Sequence, residues 1–105
     1  MLTRTYPSSL ENKMTKIIVQ NNLPYKFVGD GKFLIGRKCP DFVNCNGEKI
    51  AIEVFCRKHK EEFRGGLKRW KRSRSAIFAS YGWKIKYFDE TQVEEKYVLK
   101  ALGKV

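Results

Sequence analysis

The sequence predicts one mixed α/β domain, a central sheet with helices packed on its faces. Three observations predict it. Apolar residues recur at helical spacing over residues 9–21 and again over residues 66–81. Between and after these segments lie short runs rich in Val, Ile, Phe and Tyr, bounded by Gly, Asn and Asp. The order helix, several strands, helix, strand, helix fits in 105 residues, enough for a single domain (residues 1–105) with one modest core.

Each element has its own signal. Leu10, Met14, Ile17 and Ile18 form the stripe of the first helix, and Leu23-Pro24 ends it. Residues 25–28 and 32–35 read as strands around the turn Gly29-Asp30-Gly31. Residues 41–45 and 49–56 read as a second strand pair. The helix at 66–81 turns Leu67, Trp70, Ile77, Phe78 and Tyr81 inward, and Gly82 is its natural stop. Residues 83–88 form a last strand. Thr91 then caps a final helix, with Glu94 completing a capping box.

The formal charge is +11, and much of it is clustered. Self-repulsion of this size calls for an anionic partner, nucleic acid first and an acidic membrane surface second. No stretch is long enough to span a membrane, and the start, MLTRTYPSSLENK, lacks the apolar core of a signal peptide. The three cysteines, Cys39, Cys45 and Cys56, are an odd number with no CxxC pair. They fit a reducing, cytoplasmic setting better than a disulfide framework. Cys56-x-x-His59 has tolerable zinc spacing, with Cys39 and Cys45 as further sulfurs. No second tight ligand pair supports that assignment.

The chemistry concentrates in two acids. Asp41 and Glu53 sit in apolar runs, where an uncompensated carboxylate is costly. Alternation puts Glu53 on the face opposite Ile50, Ile52 and Val54. A two-residue turn at Asn46-Gly47 would send Asp41 and Glu53 to opposite faces. A three-residue loop, residues 46–48, sets Asp41 opposite Glu53 and Phe42 opposite Ile52, and this is the preferred register. Two adjacent carboxylates repel unless a cation intervenes. Mg²⁺, or Mn²⁺, suits such oxygen ligands and activates water against a phosphodiester. The competing reading pairs each acid with a nearby lysine or arginine. Glu11 lies at the edge of the first helix's apolar stripe, where it can join the site as a third acid. Ser8-x-x-Glu11 is equally a capping box. His59, just beyond the strand that carries Glu53, is a candidate general base or acid, or else a solvated or phosphate-contacting residue.

Arg57, Lys58, Lys60, Arg64, Lys68, Arg69, Lys71, Arg72 and Arg74 form a basic run opposed only by Glu61 and Glu62. Lys68, Arg69, Lys71 and Arg72 fall off the apolar stripe, where they face solvent and follow a phosphate backbone. Trp70 reads as core rather than as a base-stacking wedge.

With these residues placed, the chain resembles a small member of the PD-(D/E)XK nuclease superfamily. It is most similar to the branch of very-short-patch repair endonucleases and their stand-alone relatives. SSLENKMTKIIVQNNLPYKF resembles the acidic first helix and the strand after it. Pro40-Asp41-Phe42 matches the PDF segment, and KIAIEVF matches the strand bearing the family glutamate, here Glu53. A histidine near His59 is common in the branch. RSRSAIFASYGWKIKYFDETQV resembles its basic helix, Gly-Trp turn and last strand. The resemblance implies a restriction-endonuclease-like core and a metal-dependent DNA endonuclease of a repair, restriction or mobile-element type. Asp41 and Glu53 would be the metal ligands and Glu11 an outer acid. The implied partner is DNA, engaged by a monomer or a homodimer, with no membrane. The chain departs from the family at Phe55, where a lysine usually follows the glutamate by two residues. His59 or a helix lysine such as Lys68 would have to steady the attacking water instead. Two alternatives follow: a structure-selective, Holliday-junction-resolvase-like nuclease, and a non-catalytic nucleic-acid-binding module with a degenerate site.

Overall fold

A computed structural model describes residues 8–103 of the chain. Most of the leading segment that lacks a signal-peptide core lies outside these residues. The elements run α1 (Ser9–Gln20), β1 (Tyr25–Phe27), β2 (Phe42–Asn44), β3 (Ile50–Phe55), α2 (Arg57–Glu61), α3 (Gly66–Ser80), β4 (Lys84–Asp89) and α4 (Glu95–Ala101). The four strands form one sheet in the order β1-β2-β3-β4. The first two pairings are antiparallel, and β3–β4 is parallel across the α2–α3 crossover. The mixed α/β class is therefore the one the sequence predicts. Among the described residues, no helix is long and apolar enough to cross a membrane.

Alternation along the strands divides the core into two layers. Phe42, Ile52, Val54 and Phe88 pack with Met14, Ile17 and Ile18 of α1 and with Val98 of α4. On the other side, Val43 and Ala51 pack with Phe78 of α3. Asn22 ends α1 in the left-handed region (φ 51°), with Leu23 N–H bonded back to Ile18 and Asn22 N–H to Val19. Asparagine here takes the place that glycine takes at the end of α3, where Gly82 (φ 83°) donates to Ala79 and Trp83 N–H donates back to Phe78.

Three expectations are corrected, and one element is new. The strand at residues 32–35 does not form. Instead Ile35 and Lys38 exchange backbone hydrogen bonds of 2.8 and 2.9 Å around Gly36 and Arg37, both left-handed. Gly36 also passes close to α3, where a Cβ would meet Tyr81 and Ile77 at 2.7 and 2.8 Å. Strand β1 pairs with β2 across this excursion. Thr91 does not cap α4: its N–H and hydroxyl both donate to Asp89 Oδ1, at 2.8 and 2.6 Å, and the cap position falls to Glu94. A carboxylate at a strand end competes for the same donors and is the nearer partner. Tyr81, expected inward, is 57% exposed because α3 ends before it. The short helix α2 went unpredicted, since five basic and acidic residues carry no apolar period.

Candidate active site

The hairpin joining β2 to β3 fixes the site's register. Asn44 Oδ1 accepts from Asn46 N–H (2.9 Å) and Glu48 N–H (3.0 Å), which folds residues 46–48 into a three-residue loop. Gly47 sits at φ 101°, open to glycine at no steric cost. The resulting pairs are Phe42 with Ile52 and Val43 with Ala51. Continued by one step, this register sets Asp41 across from Glu53, and Asp41 N–H donates to Ile52 C=O at 3.2 Å. This is the register preferred on the sequence. Glu53 lies on the α3 side of the sheet, opposite the main aliphatic row.

The carboxyls of Asp41 and Glu53 lie close enough to interact directly, and Asp41 also interacts with Glu11, the third acid. Glu11 is 2% exposed, and it serves both roles read from the sequence. Its Oε1 accepts from Ser8 N–H (2.7 Å) while its own N–H donates to Ser8 Oγ (3.2 Å), completing the capping box. Asp41 Oδ2 accepts from Val54 N–H at 2.8 Å. Loss of hydration, then the charges of Glu53 and Glu11, push Asp41 well above the usual carboxylate range, and the Val54 bond only partly opposes this. Glu53 is raised by loss of hydration too, but the positive charge of Arg74 holds it back.

The three acids open onto a cavity of about 430 Å³ whose lining also includes Lys60, Arg74 and His59. Arg74 Nη1 lies 2.6 Å from Glu53 Oε2. The competing reading of the sequence, an acid tied to a base, therefore holds for Glu53. Lys60 Nζ stands 4.5 Å from the centre of the Trp70 ring. Loss of hydration and the Arg74 charge lower its pKa, opposed by Glu53 and Asp41. Trp70 is buried, in ring contact with Phe55 and Tyr87. It is core, as read, and its edge forms part of the cavity wall.

The remaining basic residues divide. Lys68, Arg69 and Arg72 are exposed and line a shallow groove beside Gly65 on α3, away from the acids. Lys58 and Arg64 are exposed. Arg57 is held by Asp89 and Glu90, at 3.8 and 3.5 Å, and its N–H donates to Glu90 Oε1. Lys71 is corrected: it does not stand free in solvent but is half-buried, its ammonium 5.3 and 5.4 Å from the Phe55 and Tyr87 ring centres. Arg74, part of the basic run in the sequence, is the residue whose place beside the acids the sequence reading did not assign. Its signal was present: Trp70, Arg74 and Phe78 recur at i, i+4 and i+8, so a charge interrupts an inward stripe.

Among the described residues, no group of three or more His, Cys, Asp or Glu side chains forms a metal-holding cluster. The acids are linked to one another and to Arg74 instead. Their donor chemistry still fits Mg²⁺, which keeps most of its waters and takes only one or two protein carboxylates. A zinc set is less well matched: Cys39 and Cys56 line the cavity with His59, but Cys45 is exposed and does not. No family model, curated protein or solved structure matches the chain.

Proposed function

We propose that this chain is a divalent-cation-dependent endonuclease acting on DNA phosphodiesters, of the PD-(D/E)XK type that its sequence resembles. One observation carries the reading: Asp41 and Glu53 meet across adjacent strands, with Glu11 behind them, in a cavity faced by Lys60 and His59. Crowded carboxyls of raised pKa in a cleft are a recognised mark of a functional site.

Asp41 and Glu53 would hold Mg²⁺ or Mn²⁺, which supplies charge neutralisation at the phosphate and an acidified water. Glu11, beside Asp41, would orient a water of the bound cation. Lys60 takes the part usually played by the lysine two residues after the glutamate, a position held here by Phe55. Its ammonium faces both acids and can orient a water toward the phosphorus. Lys68, the other candidate, lines a different groove. His59 takes up or delivers a proton at a ring nitrogen, at the attacking or the leaving oxygen. Lys68, Arg69 and Arg72 hold the phosphate backbone farther along, in the groove on α3 outside the cavity.

Plasmid DNA incubated with pure protein and Mg²⁺ should be nicked or cut. Asp41→Ala and Glu53→Ala should each lower the rate by at least about a hundredfold. Cutting that survives both substitutions removes the assignment.

The Arg74–Glu53 ion pair favours a second reading, a nucleic-acid-binding module whose metal site has lapsed. It predicts binding that ignores Mg²⁺ and is unaffected by Asp41→Ala. On either reading, removing Lys68, Arg69 or Arg72 should lower the slope of log affinity against log salt by about 0.9 per phosphate contact, measured by fluorescence anisotropy. An unchanged slope would take α3 out of the interface.

A further inference from the structure

We infer that Arg74 has two positions, on Glu53 in the free protein and on the DNA phosphate in the complex, so that its transfer couples cation binding to DNA binding. The inference rests on the nuclease reading. Arg74 Nη1 sits 2.6 Å from Glu53 Oε2, and both side chains are largely buried, 18% and 6% exposed. The pair therefore keeps most of its Coulombic attraction. It also places a fixed positive charge on one of the two carboxylates that a cation needs. A cation approaching the free protein meets Glu53 already neutralised.

Arg74 is nonetheless built for more than neutralisation. Its guanidinium carbon lies 5.6 Å from the Trp70 ring centre and 5.9 Å from that of Phe78. The two rings, one turn to either side along α3, flank the guanidinium, whose Nη1 donates to Glu53 at the cavity. The same residue borders both the acid cavity and a smaller cleft with Lys38, Phe63 and Ser73. Lys60 is on the same wall and is repelled by Arg74. Two adjacent cations facing acids are suited to straddling an anion. A phosphodiester entering the cavity offers Arg74 a bidentate partner of fixed charge. As Arg74 turns to it, Glu53 is released to the cation. Each ligand then favours the other by the same factor, because the coupling is reciprocal.

The test compares wild type, Arg74→Gln and Arg74→Lys. Mn²⁺ affinity without DNA is read by electron paramagnetic resonance of the free ion, and cleavage of a short duplex is read under single turnover. Thermal melts establish that each variant is folded. Arg74→Gln should bind Mn²⁺ at least about fivefold more tightly than wild type, the lower end of ordinary coupling. It should cut at least about a hundredfold more slowly, the cost of losing one charged donor to the phosphate. Arg74→Lys keeps the charge on Glu53, so its Mn²⁺ affinity should stay near that of wild type while cutting falls for want of the bidentate fork. A wild type that binds Mn²⁺ and cuts, beside an Arg74→Gln protein with unchanged or weaker Mn²⁺ binding, overturns the transfer and leaves the nuclease standing. A wild type that neither binds Mn²⁺ nor cuts overturns both.

Discussion

Asp41→Asn should abolish DNA cleavage and, in the same protein, raise thermal stability at neutral pH. The two effects have one cause. Asp41 is crowded by Glu53 and Glu11 and loses hydration, which pushes its pKa well above the ordinary 3.8. An acid whose folded pKa is raised contributes its full stability below the unfolded value. That contribution is lost as pH rises through the folded value, because the unfolded chain gives up the proton first. At neutral pH the native fold is therefore paying for this carboxyl. Asparagine keeps the acceptor for Val54 N–H, bonded at 2.8 Å in the native protein, and offers Glu53 or Glu11 an N–H donor in place of a like charge. The gain should be about 1–2 kcal/mol, with each kcal/mol worth roughly 4–8 °C in a small domain. It should shrink as pH is lowered toward 4 and level off above the native pKa of Asp41. Melting curves across this pH range check the sign directly. An Asp41→Asn protein that melts below wild type at neutral pH would show that the carboxyl is a structural anchor.

Trp70→Ala should be the most damaging of the single substitutions, costing about 3–5 kcal/mol. Trp70 is 6% exposed and joins Phe55 of β3 and Tyr87 of β4 in edge and tilted ring contacts with centres 5.2 and 5.6 Å away. It is thus the side chain through which α3 grips the strand that carries Glu53. Its removal leaves a cavity under α3, and it takes the ring face away from both Lys60 and Arg74. Against a typical total of about 5–15 kcal/mol, a loss of this size brings the fold near its threshold. Urea unfolding should show a lower midpoint with an unchanged slope. A loss below about 1 kcal/mol would mean that Trp70 is a surface residue serving a ligand rather than the core.

Much of this was legible in the sequence, for reasons that differ by residue. The meeting of Asp41 and Glu53 followed from period-two alternation and one decision about a loop. Asn44 settles that decision by accepting two loop N–H groups, a local side-chain effect. Glu11 was legible twice over, as cap and as inward acid, because a helical stripe and a capping box are both short-range patterns. Arg74 and Lys60 were harder. Their roles depend on which element faces the acids, and that is set by the parallel β3–β4 crossover rather than by neighbours in sequence. Lys71 illustrates the same limit. Off the stripe by the helical wheel, it still folds its stem over Phe55 and Tyr87, because a long aliphatic chain reaches past its own face. The failed strand at residues 32–35 and the uncapped Thr91 share a different cause. Propensity there was outweighed by left-handed residues at Gly36 and Arg37 and by Asp89 claiming both donors of Thr91.

The central claim is that Asp41 and Glu53 converge to share a cation. Crystals of the complex with a short DNA duplex, soaked in Mn²⁺ and measured at the manganese absorption edge, test it most directly, because Arg74 is then drawn off Glu53. The account predicts an anomalous peak bridging the two carboxylates. A map of that complex with no peak there, and Glu53 still on Arg74, would contradict it.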